Sequence, residues 1–312
     1  MNRKTGLDIV RLIATLEVIC LHVSSNSLIK LMCSNCVLLF VMISGAIHLN
    51  EDYVFDYSKM VRKILRITIS FAICSIFYAL LFDDTSSIRT ILRNIFTGHY
   101  HLWFLYMIVG LYLVTPIIKY IIKDKRIYCY FFVLSFLTAV VGTTISDFSC
   151  LEALSYVIGL LNIHIGLGYV FAYLLGRELA SRDFCIKERI LVYIGGLISL
   201  LFVSKFSFND TDLFRVIYAV ASFVFLLEVG SKVTNERMIA FYERLSDKCY
   251  VAYLVHVAVI YSVSNLNSCY GAMGEMIRII IVIVVSFLSA SVIRVVFNIV
   301  RTKYSCMMKR LR

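Results

Sequence analysis

Apolar residues run along this chain in long blocks separated by short charged stretches, the pattern of helices that cross a bilayer rather than helices that cover a soluble core. Ten blocks are long enough to span, at about 7–26, 33–50, 66–83, 102–121, 127–146, 156–176, 189–205, 213–231, 249–266 and 276–300. The spacing predicts an all-α, polytopic integral membrane protein of about ten transmembrane helices, in a single membrane-embedded domain over 1–312. The first block lacks a small-x-small cleavage site and carries Arg11 and Glu17 in its middle, so it is read as a retained helix. Between the third and fourth blocks, Ile88, Ile91, Leu92, Ile95 and Phe96 suit a short amphipathic helix at the outer interface. Pro116 predicts a kink in the fourth span.

The first block breaks the pattern. Asp8, Arg11, Thr15, Val18, His22 and Ser25 follow one another at spacings of three and four, a mostly polar stripe on an otherwise apolar helix. Arg11 and His22 fall on the same face, about 16 Å apart along the axis at 1.5 Å per residue. Ionisable side chains at membrane depth are costly and mark functional sites, so this stripe must face protein or water. Glu17 lies off the stripe and is expected to meet a basic residue of another span.

Charge changes the picture by giving orientation. The formal net charge is +11, and most of the 31 basic residues fall in alternate loops, from Arg3 and Lys4 to the cluster at Arg301–Arg312. By the positive-inside rule both termini are then cytoplasmic, which agrees with an even number of spans. Basic residues spread over loops in this way form no nucleic-acid patch. The ten cysteines are scattered. Cys33-Ser-Asn-Cys36 has the spacing of a redox pair or zinc half-site, but no second pair accompanies it, and buried thiols are the better reading.

Several segments resemble, in order, the motifs of acyltransferase family 3, polytopic proteins that O-acylate cell-envelope sugars. Asp8-Ile-Val-Arg11 through His22 resembles the family's Arg-x10-His signature, and Leu39-Phe40-Val-Met42-Ile-Ser44-Gly45 its second-span FFxxSG motif. Arg62-Lys63-Ile-Leu-Arg66 is similar to the basic start of the third span, His101-Leu-Trp103-Phe-Leu-Tyr106 to the fourth, and Tyr250-Val-Ala-Tyr253-Leu-Val-His256 to the ninth. Two departures are Ser70, near where the family commonly has a proline, and Lys63, where it often has arginine. Within the family the chain looks most similar to O-acetyltransferases of envelope polysaccharides such as enterobacterial common antigen.

The resemblance implies a multi-pass enzyme of the inner (cytoplasmic) membrane. It would move an acetyl group from cytoplasmic acetyl-CoA to a hydroxyl of a lipid-linked or envelope saccharide. His22 is the natural general base, since imidazole titrates near neutral pH. Arg11 suits a CoA phosphate, with the pantetheine arm running along the stripe to His22. Lys63 and Arg66 are candidates for the remaining phosphates, although basic residues at a cytoplasmic helix end also serve as topology anchors. His101 and Trp103 open the fourth span where an acceptor sugar would bind, and His256 is a further candidate contact or a satisfied core histidine. His99 is read as solvated. No metal is expected, because His99 and His101 at i, i+2 on a helix diverge and no third ligand is near in sequence. His48 and His164 have no assigned role. Beyond acetyl-CoA, the partners implied are the saccharide and membrane lipid, and no nucleic acid. A rival reading is a transporter or flippase of a glycan or lipid intermediate, in which Arg11 and His22 would line the path.

Overall fold

The polar-striped first block folds as α1 (Arg3–Val23) and takes a central place in the bundle. The computed structural model describes residues 3–50, 55–82, 87–146, 168–206, 211–263 and 271–310. After α1 come the short α2 (Ser27–Met32), α3 (Cys36–His48), α4 (Tyr57–Leu81) and α5 (Ile88–Thr97). A 3₁₀ turn (Tyr100–Leu102) leads into α6 (Trp103–Ile122), and α7 (Lys125–Phe136) continues through a π-helical turn into α8 (Gly142–Ser146). The chain closes with α9 (Val170–Ser181), α10 (Ile186–Phe206), α11 (Leu213–Ser231), α12 (Glu236–Ser262) and α13 (Gly271–Arg310). No strand occurs among the described residues.

The helix starts follow side-chain chemistry. Asn26 accepts the Leu28 N–H at 2.9 Å, Asp56 accepts that of Lys59 at 3.1 Å, and Asp212 that of Arg215 at 2.9 Å, each satisfying an orphan donor of the first turn. The same bond holds the Asp56 carboxyl below its ordinary range. The amphipathic segment forms a helix, Ile88–Thr97, capped by Ser87.

Six stretches of described residues are long and apolar enough to cross a membrane: Ser27–His48, Tyr57–Leu81, Ile88–Ile122, Lys125–Ile145, Leu213–Ser231 and Met273–Ile299. This is a multi-pass, all-helical membrane protein. The sixth block of the sequence pattern, 156–176, lies largely outside the described residues, as does His164. The ninth is part of a longer helix, since α12 begins at Glu236. Large apolar side chains such as Ile73 and Leu288 are exposed on the spanning helices, as expected of faces that meet lipid.

α1 packs against α3, α11, α12 and α13. α3 in turn lies directly on α9, and glycine makes the approach possible. A Cβ on Gly45 would sit 1.8 Å from the Tyr173 carbonyl oxygen, and one on Gly176 would sit 2.1 Å from that of Met42. Close contact through small residues is the usual means of helix association in lipid, where burial from water gives no drive. Gly98 has φ +74°, a left-handed conformation, and ends α5 so that the next residues turn inward.

Candidate functional site

Arg11 projects from α1 into a charged layer. Its Nη1 donates to Asp8 Oδ1 at 3.2 Å and to Ser246 Oγ at 2.6 Å, and the Ser246 hydroxyl donates to Asp8 Oδ1 at 2.6 Å. α1 and α12 are thus joined by a closed polar triangle that fixes the guanidinium. Arg11 also borders a cavity of about 430 Å³, together with Lys63 and Arg66 of α4, His48 of α3, Tyr112 of α6 and Arg294 of α13. Its size falls in the range of small-molecule sites. Its lining combines these cations and Asp247, which pairs with Arg294 at 3.1 Å, with apolar and aromatic side chains including Phe40, Phe104 and Tyr253.

His48, which had no role in the sequence reading, is part of this wall. Its Nδ1–H donates to the Ser44 carbonyl at 2.8 Å, so Nε2 is the acceptor, and it takes a hydrogen bond from Lys63 Nζ at 2.7 Å. The Lys63 ammonium also stands 4.5 Å from the centre of the Tyr112 ring. The structure therefore brings Arg11, Lys63 and Arg66 to the wall of one cavity.

The stripe between Arg11 and His22 is not open. Thr15 is fully buried and donates to the Arg11 carbonyl at 2.8 Å, and Val18 is packed in the core. The space runs instead beside the stripe, between α3, α4, α6 and α12, and reaches Tyr253, three residues before His256. The path expected along the α1 stripe is corrected accordingly.

Beyond Tyr253 lies a cluster of imidazoles. The ring of His22 is 5.3 Å from that of His256 and 5.3 Å from Tyr100, and His101 is 5.3 Å from His256. His99 is buried rather than solvated. The Gly98 turn and the 3₁₀ geometry place its Nδ1 3.1 Å from Nδ1 of His101, although i, i+2 residues on an α-helix would diverge. Tyr261 reaches His99 Nε2 at 3.3 Å, and Tyr78 stacks on His99 at 4.8 Å. The Tyr253 hydroxyl donates to the His101 carbonyl. Trp103 does not join the cluster; its ring lies 6.0 Å from that of Tyr169. Among the described residues no three histidine, cysteine or carboxylate side chains converge as a metal site would need.

Among the described residues Glu17 meets no basic side chain. Its Oε2 is buried and has no hydrogen-bond partner among the described residues. Cys33 and Cys36 are both buried.

A basic cavity on one side and an imidazole cluster beyond it, both bordered by α1 and α12, is an arrangement suited to an anionic donor and a proton-abstracting group. Residues 4–295 match the family model described as an acyltransferase domain. The chain belongs to acyltransferase family 3. As a member of that family it is a membrane acyltransferase. No curated protein and no solved structure matches it.

Of the residues the sequence singles out, Arg11, Lys63 and Arg66 line the cavity, His22, His101 and His256 lie together in the imidazole cluster, and Trp103 lies apart. Ser246, His48, Tyr112 and Arg294, to which the sequence reading assigned no role, also border these spaces or bond to their residues. Arg294 carried a readable signal, an arginine inside the last apolar block. Tyr112 stands in the segment Leu111-Tyr112-Leu-Val-Thr115-Pro116 that resembles the family's fourth span, whereas Ser246 carried no signal, because its bonds to Asp8 and Arg11 join distant helices.

Proposed function

We propose that this acyltransferase takes an acetyl group from cytoplasmic acetyl-CoA and places it on a hydroxyl of a lipid-linked or envelope saccharide, as a ten-span, single-domain protein of the inner membrane with both termini cytoplasmic. The single observation that carries the reading is one cavity lined by Arg11, Lys63, Arg66 and Arg294, of which Arg294 is paired with Asp247, and by the aromatic rings of Phe40, Phe104, Tyr112 and Tyr253. Four cations around one space suit the phosphates of CoA, and the forked guanidinium of Arg11 suits a bidentate contact. The aromatic rings suit the thin pantetheine arm. His101, in the imidazole cluster, is on the acceptor side of this scheme, whereas Trp103, packed toward Tyr169, and the fully buried His256 are given no contact with the sugar.

His22 acts as general base. It takes the proton of the sugar hydroxyl as that oxygen attacks the thioester carbonyl. A C–O bond forms, the C–S bond breaks, and the proton passes to the CoA sulfur, so the step balances without a further reactant. Neither a metal nor a nucleic acid has a part in this scheme. The test is to compare envelope glycans from wild-type cells and cells lacking the protein. A glycan that loses the mass of one acetyl group supports the reading; identical glycans contradict it.

A further inference from the structure

Two buried side chains near His22 have no place in the scheme so far. The first is Tyr78 of α4, 1 % exposed. Its hydroxyl donates to the Leu254 carbonyl at 2.9 Å and accepts the Ala258 N–H at 3.1 Å. Those two groups are the i and i+4 members of one turn of α12, the pair that ordinarily bond only to each other. The hydroxyl of Tyr78 thus clamps from outside the one turn that carries His256.

The second is the ring of His256, fully buried. Its Nδ1 lies 2.6 Å from the Tyr253 carbonyl. A carbonyl only accepts, so Nδ1 carries the hydrogen and Nε2 is a bare lone pair. That Nε2 is buried and has no hydrogen-bond partner among the described residues, a costly arrangement that calls for an explanation.

His22 and His101 are the imidazoles beside it. His101 is equally close, at 5.3 Å, and its Nε2 is also buried without a partner among the described residues, but its Nδ1 is engaged with His99 and its ring stands nearly perpendicular to His256, at 84°, which turns the two ring edges away from a common plane. His22 is tilted by only 35°, with ring centres 5.3 Å apart. Adding two ring radii to an N–H···N bond of about 3 Å gives about this separation. The bond closes if the rings turn edge to edge, and His22 is only partly buried.

We propose that His256 is a positioning residue for His22: its Nε2 accepts the ring N–H of His22, which leaves the other His22 nitrogen as the lone pair facing the acceptor hydroxyl, and Tyr78 holds the His256 turn in register for this bond. The role of the orienting partner is the one a carboxylate commonly fills beside a catalytic histidine. Here a neutral imidazole with a fixed tautomer fills it, which avoids a second charge in the membrane. The inference rests on His22 being the base.

The test uses full-length protein in lipid nanodiscs, with acetyl-CoA as donor and a solvent extract of the membranes of its own cells as acceptor. Tyr78→Phe leaves the α12 turn its own backbone bond, so the variant is expected to fold and to bind CoA as wild type does. Its kcat should fall about tenfold with the KM for acetyl-CoA unchanged, since misplacing a reacting group by a fraction of an ångström has effects of this order. His256→Phe should lose more, His256→Gln should recover part of the loss by offering an amide oxygen, and Tyr78→Phe should add little to His256→Phe. Additive losses, or wild-type kcat in Tyr78→Phe, overturn the inference. Nitrogen-15 spectra of the histidine rings separate its failure from that of the functional reading. If wild type transfers no acetyl group the reading falls, whereas His22 ring signals that ignore both Tyr78→Phe and His256→Phe overturn the pairing itself.

Discussion

Arg11 shows how one side chain serves packing and chemistry together. Its bonds to Asp8 and Ser246 could be taken as a purely structural ion pair, yet the same guanidinium borders the basic cavity. On the proposed mechanism Arg11→Lys keeps the charge and loses the fork, so the KM for acetyl-CoA should rise while kcat changes less. An unchanged KM in both Arg11→Lys and Arg11→Ala would leave only the structural pair. His22 separates in the opposite way. His22→Ala should lower kcat by about 10²–10⁴-fold and retain CoA binding in a thermal-shift assay, because His22 is no part of the cavity wall. Wild-type turnover in that variant would remove the base assignment.

At the scale of elements, the parts legible in the sequence were those fixed by local periodicity. The polar face of α1 followed from spacings of three and four, and the amphipathic α5 from its apolar positions. His99 sits at the outer interface and so reads as solvated, but Gly98 at positive φ turns the chain inward and brings His99 onto His101. His48 was silent because its partner Lys63 sits on another helix, and no local pattern encodes that meeting. The α3–α9 contact offers a direct test of helix packing. Gly45→Ala would drive a methyl into the Tyr173 backbone and should destabilise by about 1–3 kcal/mol, read as a lower unfolding temperature in detergent. Gly110→Ala meets nothing within 4 Å and should be neutral in the same assay. Equal effects would contradict the packing described.

For the molecule as a whole, the alternation of basic loops predicts the orientation, with the donor side cytoplasmic. Reporters fused after Lys123 and Lys232 should read cytoplasmic, and one inserted at Ser87 should read extracytoplasmic. A cytoplasmic Ser87 would reverse the donor side and detach the basic cavity from acetyl-CoA. The central claim is that this architecture brings a cytoplasmic donor to a base set deep in the bundle, and it is tested most directly by acyl transfer from purified protein. Reconstituted in nanodiscs with acetyl-CoA and the membrane extract of its own cells, wild type should release free CoA in step with acetylated glycolipid, and His22→Ala should do neither. Movement of the glycolipid across a vesicle bilayer by wild type with no release of CoA would contradict the account and favour a flippase.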